Sequence, residues 1–237
     1  MTTVKGSSMS KLCVAILGEI PTGIVDSLSQ AEIAADRIHS IPFVEASTRT
    51  EWLNWQKNLG SGDFGIGRGS GGCLLAHRDA WLTFKACDHD FLLVLEDDAI
   101  LTTYGKKHFA QALNWSVASE LSLIHLGDHA KYNLWALLRL LIQLNFREFV
   151  KIIYERFFLK FLSPRFATNQ FPFSGHAYVL ETSLAQVLIR NSENFLYPVD
   201  VHLNAISQVS KNRVAKVRTP IFVQAEQRES QIKQRGR

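Results

Sequence analysis

Glu96-Asp97-Asp98 is the densest run of acidic side chains in the sequence, and it follows directly on the apolar run Phe91–Leu95 (FLLVL). An unbroken apolar run of this length reads as a strand buried on both faces. Side chains alternate along a strand, so Glu96 and Asp98 are expected to project together while Asp97 points elsewhere. Two carboxylates on one side of a strand's carboxyl end offer hard oxygen ligands for Mn²⁺ or Mg²⁺. That edge of an open α/β sheet is also where ligands bind. An ion held there would clamp a diphosphate and stabilise charge on a departing nucleotide. The plainer reading is a solvated acidic turn, against which stands the mutual repulsion of three adjacent acids.

A second motif competes. Gly67-Arg68-Gly69-Ser70-Gly71-Gly72 fits G-x-G-x-x-G ahead of a helical stretch, with an acid at the end of the next strand. This is most of a dinucleotide-binding fingerprint, but Glu51–Asp63, which should supply the preceding strand, is polar. The whole Gly60–Gly72 segment instead reads as a mobile glycine-rich loop.

The elements that must position these residues follow from the apolar pattern. Leu12–Leu17, Ile41–Glu45, Leu121–Leu126 and Ala177–Leu180 read as strands, and Ser27–Ile38, Cys73–Ala86 and Ser183–Arg190 as helices. Leu134–Leu162 is rich in Leu, Phe and Ile, with Phe146, Phe149, Val150, Ile153 and Phe157 at helical spacing opposite Arg147, Glu148, Lys151 and Glu155. Strand and helix signals alternate, which predicts an α/β domain over residues 11–210, after a disordered segment or tag remnant at 1–10 and before a basic, partly extended tail at 211–237.

Length and charge set further bounds. The 237 residues suit one α/β unit, and 46% hydrophobic composition suffices for a sizeable core. The three cysteines read as too few and scattered for a disulfide framework or zinc site, which favours reduced thiols in a cytoplasmic protein. No signal peptide and no membrane-spanning stretch are expected. The net charge is +4, yet Lys131–Arg165 carries seven Lys/Arg against two Glu, and Lys211–Arg237 eight against two. The basic charge is therefore concentrated in two places, which points to an anionic surface as partner.

Gly69-x-x-Gly72-Cys73-x-x-x-His77-x-x-x-Trp81 followed by Leu93-Val94-Leu95-Glu96-Asp97-Asp98 resembles the signature of glycosyltransferase family 25. Gly175-His176-Ala177-Tyr178-Val179-Leu180, Pro198-Val199-Asp200 and Gln227-x-x-Ser230-x-Ile232 resemble that family's later blocks, so the likeness spans roughly residues 40–235. Two departures stand out. Ala76 replaces the usual Ser before the His, and Ile16-Leu17-Gly18-Glu19 replaces the usual Asn-Leu-x-Arg after the first strand.

The resemblance implies a GT-A-like single domain with a mixed central sheet flanked by helices. It also implies a UDP-sugar donor (galactose before glucose), a lipooligosaccharide acceptor and inversion at the anomeric carbon. Inversion needs a base beside the acceptor hydroxyl. Asp200 is the candidate, though an acid there also suits a helix first turn. Asp97 joins it among the catalytic candidates. Gly72, Arg68, His77, Glu96, Asp97 and Tyr178 are the donor-binding candidates, and Glu96, Asp98 and His202 the metal ligands. His77 and Tyr178 are each also readable as core residues. The basic amphipathic region at 131–165 fits a helix lying in a membrane interface, placing the protein peripherally on the inner face of the cytoplasmic membrane, or else a core helical pair with solvated charges. Two other classes are weighed. A nucleic-acid-binding protein lacks a recognisable motif, so no nucleic-acid partner is expected; a nicotinamide-dependent dehydrogenase lacks the strand before its glycines.

Overall fold

The apolar run Leu12–Leu17 forms β1, with all six residues buried. Its side chains divide by parity between two cores: Cys13, Ala15 and Leu17 enter one, and Leu12, Val14 and Ile16 the other. The next long strand repeats the division, with Leu92 and Val94 on the first side and Phe91, Leu93 and Leu95 on the second. A strand without polar alternation is thus buried from both faces, as a sheet sandwiched between helices requires. Each fully buried Leu or Ile contributes about 1.5–3 kcal/mol.

The computed structural model describes residues 11–21, 23–30, 33, 37–50, 52–54, 68–118, 120–127, 166–168, 175–193, 199–200, 202–203, 214–217 and 219–225. In chain order these form β1, α1 (Ile24–Ser29), β2 (Ile38–Ile41), a 3₁₀ turn (Ala46–Thr48), α2 (Arg68–Lys85), β3 (Phe91–Glu96), β4 (Ala99–Leu101) and α3 (Thr103–Ala118). There follow β5 (Leu123–His125), β6 (Phe166–Thr168), β7 (Ala177–Glu181), α4 (Thr182–Asn191), β8 (Val214–Val217) and β9 (Phe222–Gln224). The central sheet has seven strands in the order β2-β1-β3-β7-β5-β8-β6, and β4 and β9 pair separately. β1 runs parallel to β2 and β3, β7 runs antiparallel to both β3 and β5, and β5 runs parallel to β8. The sheet is therefore mixed and the class α/β, as expected.

One face is covered by α2, through Leu74, Leu75, Ala80, Trp81 and Phe84, and by α4, through Leu184, Ala185 and Leu188. The other is covered by α1, α3 and the small β4/β9 sheet, through Ile24, Leu28, Phe109, Ala112, Leu101 and Phe222. No described helix is long and apolar enough to cross a membrane.

Three expectations change. The helix expected over 27–38 is shorter and earlier: α1 starts after Gly23 and buries Ile24 and Leu28, one turn apart, while Ile38 pairs with Val14 at the start of β2. The glycines at 69, 71 and 72 are helical rather than loop, because α2 already begins at Arg68. A Cβ on Gly72 would lie 2.4 Å from the Val44 carbonyl oxygen and one on Gly71 2.1 Å from the Trp52 ring. These glycines let the helix approach its neighbours, and that contact offsets their unfavourable helix propensity. Finally, β8 and β9 lie beyond residue 210, within the span read as a tail. Residues 131–165 fall outside the described residues.

Candidate active site

Parity along β3 places Glu96 on the same side as Leu92 and Val94, the side that α2 covers. There it meets His77, whose Nε2 lies 3.8 Å from Glu96 Oε1. Glu96 Oε2 lies 3.5 Å from Gln224 Nε2, at the end of β9. The Glu96 amide donates to the His176 carbonyl at 2.9 Å, fixing the strand end against the segment that enters β7. Burial alone would raise the Glu96 carboxyl, but His77, with His176 and Gln224, outweighs it and holds the group below the usual carboxylate range.

His77 is itself fully buried, and its ring is held from behind. Nδ1 lies 2.7 Å from the Tyr178 hydroxyl, the two rings stack at 5.6 Å, and Trp81 Nε1 donates to the same hydroxyl at 3.0 Å. The hydroxyl therefore accepts from Trp81 and is also hydrogen-bonded to His77 Nδ1. The network fixes the orientation of the His77 ring, with Nδ1 on Tyr178 and Nε2 facing Glu96. Burial keeps the Tyr178 phenol protonated, well above its ordinary titration range. The arrangement is the carboxylate–histidine pairing that orients a functional acid.

Cys73, one helical turn before His77, completes a group with His77 and Glu96 whose ligand atoms lie within 4.8 Å of one another. Burial, then the charges of Glu96 and Asp200, push its thiol well above the ordinary value. This group mixes one sulfur, one imidazole and one carboxylate at the edge of the acidic turn. Val199 and Leu203 pack into the α2-side core, which brings Asp200, next to Val199, to that side of the sheet.

The acidic run does not continue the strand. β3 ends at Glu96, and Asp97-Asp98 form the turn into β4. The alternation expected to align Asp98 with Glu96 therefore stops one residue early. Asp97 lies against Gly18 at the end of β1, where a Cβ would come within 3.2 Å of the Asp97 Cβ and where φ is +100°, a conformation that favours glycine. The Asp98 carbonyl accepts from the Ala225 amide at 3.0 Å, which ties the turn to β9.

His202 departs from expectation. Its ring stacks on Trp81 at 6.0 Å, and burial pushes it down to about 4 despite a hydrogen bond with the Leu188 backbone. Among the described residues, the trio Glu96, Asp98 and His202 does not converge as a ligand group. His202 is a neutral packing residue here. Gly72 serves helix packing, as described above, and Arg68 is the first residue of α2. Among the described residues ahead of these helical glycines, 52–54 are helical rather than extended, unlike the strand a dinucleotide fingerprint needs.

Two participants escaped the sequence. Cys73 carried a signal, since it precedes His77 by four residues on a helix and so shares its face. Gln224 carried none, because β9 delivers it from 128 residues away.

Residues 25–203 match the model of glycosyltransferase family 25, described as LPS biosynthesis protein. Among solved structures, the chain is similar to one described as a glycosyltransferase involved in the glycosylation of the major capsid of PBCV-1. The identity is 9% and the TM-score 0.42, over 94% of this chain and 97% of that one. Comparison with curated proteins finds no match.

Proposed function

The chain belongs to glycosyltransferase family 25, and from that premise we propose an inverting hexosyltransferase that moves galactose, in preference to glucose, from a UDP-sugar to a lipooligosaccharide core acceptor. The observation that carries this reading is the acidic turn at the carboxyl end of β3, where Glu96 faces His77 and Asp200 follows Val199 of the core on the same side of the sheet. The GT-A-like description is part of the same proposal.

Mn²⁺ and Mg²⁺ take oxygen ligands, and Glu96 at the end of β3 with Asp98 in the turn that follows are the residues that would hold such an ion. Such an ion, when bound, supplies charge neutralisation for a departing diphosphate. His77 keeps Glu96 ionised and aimed, and Asp97, between them, faces the end of β1 and the donor. In the reaction, the acceptor hydroxyl oxygen bonds to the anomeric carbon from the face opposite the diphosphate. The bond from that carbon to the phosphate oxygen breaks, and its electron pair leaves with UDP. Asp200 takes the hydroxyl proton. Attachment to the inner face of the cytoplasmic membrane through basic residues belongs to this proposal too, because it would bring the enzyme to a lipid-linked acceptor.

The test is transfer from a panel of UDP-hexoses to a soluble core oligosaccharide, with product anomeric configuration read by NMR. Expected are UDP-galactose preference, inversion, and loss of activity on chelation with recovery on adding Mn²⁺. Asp98→Asn should abolish transfer, and Asp200→Asn should lower turnover by on the order of 10²-fold while UDP still binds. A retained configuration, or full activity in chelator, overturns the mechanism.

A further inference from the structure

A second convergence of side chains lies at the other end of the α2-covered face. Cys13 is the second residue of β1 and shares that face with Ala15. The parallel register sets His39 of β2 beside Ala15, so imidazole and thiol project to the same side of the sheet. α2 crosses this face and ends at Lys85, and two residues later Cys87 closes the group. Its amide donates to the Phe84 carbonyl at 2.9 Å, and its thiol to the Thr83 carbonyl at 3.3 Å. The ligand atoms of Cys13, His39 and Cys87 all lie within 4.8 Å of one another. Cys13 is buried, while His39 and Cys87 are half-exposed, which leaves a path from solvent.

We infer that Cys13, His39 and Cys87 form a binding site for a thiophilic transition-metal ion, Zn²⁺ by the chemistry of its ligands, separate from the catalytic carboxylates. Two sulfurs and one imidazole select such an ion over Mg²⁺ or Mn²⁺, which prefer oxygen. Three protein ligands with one solvent-facing position suit a tetrahedral ion. With bonds of about 2.3 Å to sulfur and about 2.0 Å to nitrogen, tetrahedral ligands stand roughly 3.5–3.8 Å apart. The group need contract by no more than about 1.3 Å, within reach of side-chain rotation. Separation from the catalytic end follows from register: Cys13 pairs with Leu92, and Glu96 lies four residues, about 13 Å, further along the strand. Burial, and next the neighbouring Cys87, push the Cys13 thiol up to about 12. A bound cation favours its thiolate. The three scattered cysteines of the sequence thus include two that the fold brings together with a histidine, against the expectation that no zinc site exists.

The site is tested by titrating the full chain, kept reduced by a phosphine, with Co²⁺ as a spectroscopic stand-in for Zn²⁺. Expected is one equivalent of Co²⁺ per chain with thiolate-to-metal charge-transfer absorption, displaced by Zn²⁺ and unaffected by excess Mg²⁺. Cys87→Ser and His39→Ala, both at half-exposed positions, should each weaken binding at least tenfold with circular dichroism unchanged. Cys73→Ser should leave the absorption intact. Absorption that is missing from the reduced wild-type chain, that survives Cys87→Ser, or that disappears in Cys73→Ser overturns the inference.

Discussion

His77 joins the packing core to the reactive edge of the sheet through its two nitrogens. Nδ1 belongs to the Tyr178–Trp81 network and Nε2 to Glu96, so a change behind the ring should be felt in front of it. Tyr178→Phe keeps the shape but leaves the Trp81 N–H and His77 Nδ1 without their shared partner. The expected cost is about 1–3 kcal/mol of stability. A 10–100-fold loss in Mn²⁺ affinity or activity should accompany it, as for other residues that orient a ligating carboxylate. Denaturant unfolding and the Mn²⁺ concentration for half-maximal transfer measure the two effects, and an unchanged Mn²⁺ requirement would reduce Tyr178 to packing alone.

His202 makes a different prediction. Burial holds it near 4 in the native state against an ordinary 6.5. As pH falls below about 6.5, the unfolded chain takes up a proton there that the native chain refuses until about pH 4. This stability contribution is therefore complete above 6.5 and is lost progressively between 6.5 and 4, by about 3 kcal/mol at most. Guanidinium unfolding at pH 7 and pH 4.5 should show a smaller acid loss in His202→Phe than in the wild type. Equal losses would mean that His202 titrates normally.

At the level of elements, the sequence was most legible where both faces of a strand are buried. β1, β3 and β7 come within a residue or two of their expected bounds, because unbroken apolar runs have few other destinations. α3 left little trace: Phe109 and Ala112 are its main core contacts, so its apolar period is faint. The acidic run was located correctly, but its geometry was not, since a two-residue turn cannot be told from one more step of strand. The same limit applies to Gln224 and to the pairing of Cys13 with Cys87, which depend on tertiary neighbours rather than spacing. The start of α2 shows local propensity overridden by packing. Gly72→Ala would raise helix propensity, yet its new methyl would meet a backbone carbonyl that no side-chain rotation can move aside. A net destabilisation of about 1–3 kcal/mol is expected from urea unfolding, and a stabilised variant would show that α2 can lift from Val44 without cost.

Across the whole molecule, the two basic stretches at 131–165 and 211–237 carry net +5 and +6, leaving −7 for the remainder. Part of the second stretch is structural, since Lys216 belongs to β8. The first remains the stronger candidate for contact with an anionic leaflet, where each basic residue contributes about 1 kcal/mol. Changing Arg147, Lys151, Arg156 and Lys160 to Gln should lower binding to anionic vesicles at low salt while sparing transfer to a short soluble acceptor. Sedimentation with vesicles measures this, and unchanged binding would place the attachment elsewhere.

The position of β7 has a consequence for how this chain comes into being. β7 sits between β3 and β5 in the sheet, yet its first residue, Ala177, pairs with Leu95, 82 positions earlier. At ~5–20 residues per second, a ribosome needs roughly 4–16 s to make that intervening stretch. β5 is made within that interval, and from His125 to its partner Tyr178 a further 53 residues pass, roughly 3–11 s. Until then the facing edges have no strand to hydrogen-bond, and such edges invite pairing with other nascent chains. β7 therefore joins the sheet only after both of its neighbours have been made, which leaves the cell's nascent-chain binders an interval in which to shield those edges.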